Sequence, residues 1–317
     1  MATGISGGLF LYLQIGQKNG VLARMEYAVT TFYKFTQLPK QELLSVKEKL
    51  VSKARDLSII GLVLVAEEGI NATIAGSPES ISVYKVFLES HFGELKYKNS
   101  VSHIKPFKRF KVKIKPEIVQ LKRTDIRPRG SEVHVPPEEW DALMAQEDVL
   151  LIDVRNQYET KLGTFKGAID PKTKHFSQFP EWLEKSGIAK EKKIGIYCTG
   201  EIRCEKAAVA MKEQGYENVY SLEGGILNYL EKRPHKNFEG ECFVFDHRTA
   251  VGQDLRPSTR YTFCVSCGNG GDIEKNCIQC GASYHTCDEC GGTSPISVCS
   301  KNCRYQYNYT KKQQENV

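Results

Sequence analysis

The chain reads as a multidomain protein of mixed class: an α+β unit, then an α/β unit, then a cysteine-rich end. Three observations predict this. Strand-like and helix-like stretches run from Val29 to Lys115 in the order βαββαβ, and of three apolar strand-like stretches between Val149 and Ile226 one runs into a turn-rich segment and two into a loop and a helix. Paired cysteines then crowd the stretch from Cys264 to Cys303. Length agrees, since 317 residues exceed one ordinary domain and 40% hydrophobic content is ample for packed cores. The expected division is a tail over 1–26, a first domain over 27–120, a linker over 121–142, a second domain over 143–236 and the cysteine-rich region over 237–317. Leu9 to Ile15 is too short and too weakly flanked by basic residues to serve as a membrane span or secretory signal, so a cytoplasmic protein is expected. Met25 is an alternative start.

In the first domain the pattern predicts a strand over Val29 to Phe35, a helix over Lys40 to Leu57 and a strand over Gly61 to Ala66. A turn over Glu67 to Asn71, a strand over Ala72 to Ala75 and a helix over Ser80 to Phe92 follow, with Ser77-Pro78 as the helix start. Strands near Lys96 and over Phe107 to Lys115 complete a ferredoxin-like or acylphosphatase-like domain. That last strand puts Arg109, Lys111, Lys113 and Lys115 on one face and Phe110, Val112 and Ile114 on the other. Lys122, Arg123, Arg127 and Arg129 follow against only Glu117 and Asp125, so a net charge of +6 conceals a local concentration. Two readings stand level: a lysine-protected edge strand, and a surface for a phosphate backbone.

In the second domain, Val149 to Arg155 reads as a buried strand ending in Asp153-Val154-Arg155, followed by Tyr158-Glu159 and the turn-rich Gly163 to Ile169. The strand Ile194 to Tyr197 leads into Cys198-Thr199-Gly200-Glu201-Ile202-Arg203-Cys204, before a helix over Glu205 to Glu213. Val219 to Leu222 then meets Glu223-Gly224-Gly225-Ile226. A cysteine between strand and helix faces backbone N–H groups and the positive helix end, and Arg203 adds a full charge, which favours a thiolate. The competing reading is a buried, inert strand-end cysteine. From Leu143 to Arg233 these segments resemble the rhodanese family. Cys198 to Arg203 makes a six-residue loop, the size that family uses to hold sulfane sulfur, whereas related phosphatases use one residue more. The resemblance implies a persulfide on Cys198, with Asp153 and Arg155 shaping the loop. Cys204 reads either as a resolving thiol or as a small buried residue.

Cys264-x-x-Cys267-Gly268, Cys277-x-x-Cys280-Gly281 and Cys287-x-x-Cys290-Gly291 repeat one unit, and Cys299-x3-Cys303 adds a fourth pair. Two thiols on one turn, with glycine letting amides approach, form a zinc knuckle, and eight thiols suffice for two four-thiolate structural sites. His285 is a substitute ligand if one site is filled. A disulfide framework would require an oxidising compartment. Beyond Cys303, Arg304, Tyr305, Tyr307, Tyr309, Lys311 and Lys312 interleave aromatic and basic groups, as a surface for single-stranded nucleic acid or as a frayed terminus.

Taken together, Ala66 to Ile74, Asp153-Val154-Arg155-Asn156, Cys198 to Ala207, Leu222 to Ile226 and Gly240 to Asp246 resemble the rhodanese-domain tRNA uridine hydroxylases, from about Tyr27 to Cys303. The resemblance implies oxygen-dependent hydroxylation of wobble uridine 34 to 5-hydroxyuridine by way of Cys198 and Arg203, with an unspecified electron donor. It also implies that Arg109, Lys111, Lys113 and Lys115 meet the anticodon arm. A thiosulfate-type sulfurtransferase or persulfide carrier is the alternative, and a non-catalytic RNA-binding scaffold a third. One position departs from the family string: Glu201 stands where a second glycine is usual, and its carboxylate is expected to point out of the loop.

Overall fold

A computed structural model describes residues 26–128, 133–293 and 296–315. The tail preceding residue 26, the alternative start at Met25 and Arg129 lie outside the described residues.

The first domain runs β1 (Tyr27–Phe35), α1 (Leu43–Asp56), β2 (Ile60–Ala66), β3 (Gly69–Gly76), α2 (Pro78–Phe92), β4 (Lys98–Ser102) and β5 (Phe110–Ile114). Its sheet order is β4-β1-β3-β2-β5. The βαββαβ unit therefore closes at β4, and β5 is an additional edge strand lying parallel to β2. The expected turn over Glu67 to Asn71 is shorter, because Ala66 already pairs with Gly69. Phe32, Val63, Val65, Ile70, Ile74 and Val112 turn to one face of the sheet and pack with Leu50, Tyr84 and Leu88 of the helices. Thr31, Tyr33, Leu62, Leu64, Asn71 and Thr73 occupy the other face by strand alternation. Ile114 departs from its expected packing and is 40% exposed, since the edge strand ends there beyond helix cover.

The second domain contains β6 (Val133–Val135), α3 (Pro137–Met144), β7 (Val149–Asp153), α4 (Gln157–Thr160), β8 (Gly163–Phe165), α5 (Phe179–Lys185), β9 (Lys193–Tyr197), α6 (Ile202–Glu213), β10 (Val219–Leu222) and α7 (Gly225–Lys232). A parallel sheet in the order β6-β10-β9-β7 carries one apolar cluster against α5 and α6 and another against α3 and α7. β6 lies within the stretch expected as a linker; pairing with β10 makes it the sheet's edge. Three residues are too short for periodicity to reveal.

β11 (Phe238–Gly240) pairs with β8, and β12 (Cys242–Phe243) pairs with β13 (Ala250–Val251), so the chain past residue 237 first completes the second domain's core through Phe238, Cys242 and Val251. The cysteine module follows, with β14 (Thr262–Phe263) on β15 (Gly270–Gly271), β16 (Ile273–Asn276) on β17 (Ser283–Thr286), then α8 (Asp288–Thr293) and α9 (Lys301–Glu315). The stretch after Cys303 is thus helical rather than frayed.

Candidate functional site

Cys198 sits at the carboxyl end of β9, where parallel α/β sheets bind ligands. The loop is held from behind: Ile226 N donates to Cys198 O at 2.9 Å and Leu227 N to Thr199 O at 3.1 Å. This close approach explains Gly224-Gly225. Both have positive φ, and a Cβ on Gly225 would lie 2.5 Å from the Cys198 carbonyl oxygen.

Burial opposes charge on Cys198, yet the Cys204 thiol, the Arg203 guanidinium and the backbone amides of Arg203 and Gly200 outweigh it and bring Cys198 down to about 6. Burial and the neighbouring Cys198 sulfur push Cys204 well up, so it stays a thiol and donates. Cys204 is wholly buried on the first turn of α6, as the second of its two sequence readings expected. Arg203 is fixed by a bidentate pair with buried Glu159, at 2.5 and 2.7 Å. Arg155 pairs with Asp153 at 2.6 Å and donates to Gly163 O at 2.6 Å; Thr164 Oγ1 meets Asp153 at 3.2 Å and the Tyr197 hydroxyl at 2.8 Å. These groups brace the strand ends beneath the loop.

Glu201 is turned away from the cysteine but is buried rather than out in solvent, at 3% exposure. Its carboxylate accepts from Gly224 N at 2.9 Å and lies 2.7 Å from His134 Nδ1. Burial raises its pKa, but His134, Lys98 and the Gly224 amide prevail and hold it below the usual carboxylate range. It adopts φ 79°, the left-handed region where glycine is at ease.

A cavity of about 650 Å³ opens over Cys198, Thr199, Gly200, Ile202 and Arg203, within the range of small-molecule sites. Its other walls come from Tyr33, Leu64 and Asn71 on the helix-free face of the first sheet, from Lys115 to Gln120, from His175 to Ser177, and from Phe245. Glu201 lines a separate, neighbouring cleft. Of the expected basic stripe only Lys115 lines the Cys198 cavity, joined by Lys122. Lys111 and Lys113 are exposed on β5, which is shorter than the strand expected over Phe107 to Lys115, and Arg109 is exposed just before it. Arg123 does not contribute free charge, being paired with Asp125 at 2.6 Å and Glu213 at 2.9 Å.

Sequence reasoning missed what closes the cavity. Lys206, wholly buried on α6, reaches Glu68 at 2.8 Å and Glu117 at 2.7 Å in the first domain. Glu117 also accepts from the amides of Leu121, Lys122 and Arg123, shaping the segment that forms the cavity wall. Tyr33 OH donates to Glu205 at 2.9 Å across the same boundary. The available signal was a lysine amid Cys204, Ala207, Ala208 and Met211 on the helix's buried face.

The eight cysteines form two interleaved groups: Cys264, Cys267, Cys287 and Cys290, and Cys277, Cys280, Cys299 and Cys303. Sulfur separations of 3.7 Å between Cys267 and Cys287 and 3.6–3.7 Å among Cys280, Cys299 and Cys303 match about 3.8 Å for a tetrahedron of thiolates with metal–sulfur bonds of about 2.3 Å, and all sulfurs of each group lie within 4.8 Å of one another. The donor set therefore fits zinc in each group, with no open position. His285 belongs to neither group. In each knuckle the glycine amide donates to the first cysteine's carbonyl, Gly268 to Cys264, Gly281 to Cys277 and Gly291 to Cys287. The first group docks on the second domain where Lys161 meets Asp288 at 3.0 Å and Glu289 at 2.9 Å.

Three family models match in succession: a UPF0176 acylphosphatase like domain over residues 27–118, a rhodanese-like domain over 136–232 and a rhodanase C-terminal region over 239–304. Curated proteins named tRNA uridine(34) hydroxylase are similar over most of the chain. That of Bdellovibrio bacteriovorus is 43% identical over 89% of this chain and 82% of its own length. Those of Acaryochloris marina and Wolbachia pipientis wMel are 42% and 44% identical, over 84% and 79% of this chain and 87% and 92% of their own lengths. Among the described residues no helix is long and apolar enough to cross a membrane.

Proposed function

Because this chain belongs to the tRNA uridine(34) hydroxylase family, we propose that it hydroxylates the wobble uridine of tRNA at C5, with the base seated in the cavity over Cys198. The observation that carries this reading is the pairing of a thiolate-favouring loop in the second domain with a nucleotide-sized cavity walled by the first. Wobble uridine lies in a single-stranded loop, so it can be splayed into such a cavity without opening a duplex.

Cys198, as thiolate or persulfide, adds to C6 of the uracil ring and makes C5 electron-rich. Molecular oxygen supplies the hydroxyl oxygen. The overall balance is uridine plus oxygen plus two protons and two electrons giving 5-hydroxyuridine and water, so a two-electron reductant, such as a dithiol, completes the cycle. Loss of the C5 proton and departure of sulfur from C6 restore the ring. Arg203, held by Glu159, keeps the loop electropositive, while Asp153 and Arg155 position it. Lys115 and Lys122 at the cavity, with Arg109, Lys111 and Lys113 along the edge strand, face the phosphates of the anticodon arm. The two cysteine groups hold structural zinc.

The test is the nucleoside profile of tRNA from cells lacking this protein, complemented with wild type or Cys198→Ala. Loss of 5-hydroxyuridine and its derivatives that only wild type restores is the expected result. Loss of a thiolated nucleoside instead points to sulfur transfer, and full rescue by Cys198→Ala removes the nucleophile from the mechanism.

A further inference from the structure

α9 is a helix without a buried face. From Lys301 to Gln314 no side chain is buried; Tyr305 is 70% exposed and Tyr309 58%. Helices of this length are marginal in water unless an apolar stripe packs on something, and tyrosine, asparagine and threonine do little to favour one. The helix nonetheless has a strongly marked side. Lys301, Arg304, Tyr305, Asn308, Tyr309 and Lys312 recur at i, i+3, i+4, i+7, i+8 and i+11, which gathers three cations and two exposed rings on one face. No acidic residue occurs from Lys301 to Lys312.

We propose that this face of α9 is a second RNA-docking surface, which grips the tRNA beyond the nucleotide seated at Cys198. This rests on the tRNA reading above. Charge selects the partner: cations against phosphates and tyrosine rings against bases suit nucleic acid, while an apolar groove on a protein would leave three ammonium and guanidinium groups unpaired. The surface is separate from the cavity, whose walls include no residue beyond Phe245. About 22 Å of helix lets it track several nucleotides. Its root at Cys303 in the second cysteine group gives that group a task, which is to hold the helix at a fixed angle to the rest of the protein.

The experiment uses the full chain with its metals and an unmodified tRNA transcript, comparing wild type, Arg304→Glu/Lys312→Glu and Tyr305→Ala/Tyr309→Ala. Metal content and melting temperature of each variant establish that the exposed substitutions leave the fold intact. The charge reversal is expected to weaken tRNA binding at least ~10-fold and to reduce the slope of log affinity against log salt by about 2. The tyrosine pair is expected to weaken binding ~10-fold with the salt slope unchanged. In turnover both raise KM and leave kcat at saturation alone. Unchanged affinity and salt slope in both variants overturn the proposal, as does loss of a dimer on sedimentation with tRNA binding intact, which would assign the face to a second copy. Wild type that binds no tRNA at all would instead defeat the proposed function.

Discussion

Lys206 on the helix behind the Cys198 loop reaches Glu117 of the first domain at 2.7 Å, and neither side chain is appreciably exposed. The same ammonium meets Glu68 at 2.8 Å. One cation thus ties two carboxylates, the cavity wall and the loop helix into a single unit.

Lys206→Met would leave two buried carboxylates without their shared cation. Removing one partner of a buried pair costs about 3–5 kcal/mol, so a large fall in denaturation midpoint is expected, together with a raised KM as the Lys115 to Lys122 wall loosens. Chemical denaturation and steady-state kinetics check it, and a midpoint within error of wild type contradicts the assignment.

Cys204→Ala removes the thiol that donates to Cys198, whereas Cys204→Ser keeps a donor. Cys198 is held below the ordinary thiol range partly by this donor, so its loss moves the titration upward. The pH profile of Cys198 alkylation, followed by peptide-resolved mass spectrometry, should shift to higher pH in Cys204→Ala and much less in Cys204→Ser. Equal profiles for all three proteins argue that the contact does not matter.

Glu201 sets strain against hydrogen bonds. Glu201→Gly loses the contacts to His134 and Gly224 but relieves the left-handed backbone, while Glu201→Ala loses the contacts and keeps the strain. Glycine in such a conformation is favoured by about 1 kcal/mol or more, so Glu201→Gly should melt measurably above Glu201→Ala. The sign for pH follows from the depressed carboxylate: its stabilising contribution is full above the unfolded-state value and is lost as pH falls through the folded one. The reverse order of melting temperatures would show that the left-handed backbone at residue 201 holds no strain for glycine to relieve.

Lys111→Glu/Lys113→Glu should lower the salt slope of tRNA binding by about 2 while leaving turnover at saturation unchanged. Lys115→Glu, at the cavity wall, should lower turnover as well. If the edge-strand pair leaves affinity unchanged but the protein aggregates more readily, those lysines guard the sheet edge.

Native mass spectrometry should find two zinc ions per chain, one after Cys264→Ser and one after Cys277→Ser. Because the two groups interleave, either substitution should expose the whole module to protease; local damage confined to one knuckle contradicts the interleaving.

What could be read from sequence was whatever depends on neighbours along the chain. The six-residue loop at Cys198, the glycine pair behind it and the four cysteine pairs are local patterns whose chemistry follows from spacing. What escaped depends on distant partners. Nothing near Lys206 announces Glu68 and Glu117, and the turn of Glu201 toward Gly224 and His134 is decided by strands far from it in sequence. The knuckles were visible, but not that the first joins the third and the second joins the fourth. A three-residue edge strand at Val133–Val135 carries too little periodicity to be told from a linker.

The interleaving also sets an order in time. The first cysteine group cannot close until Cys290 has been made, nor the second until Cys303, and β16 and β17 lie between knuckles that belong to different groups. A chain growing from the ribosome would therefore carry two completed domains and an open, thiol-rich module until Cys303 emerges. A chain cut between Cys290 and Cys299 would hold all four thiols of the first group but only two of the second.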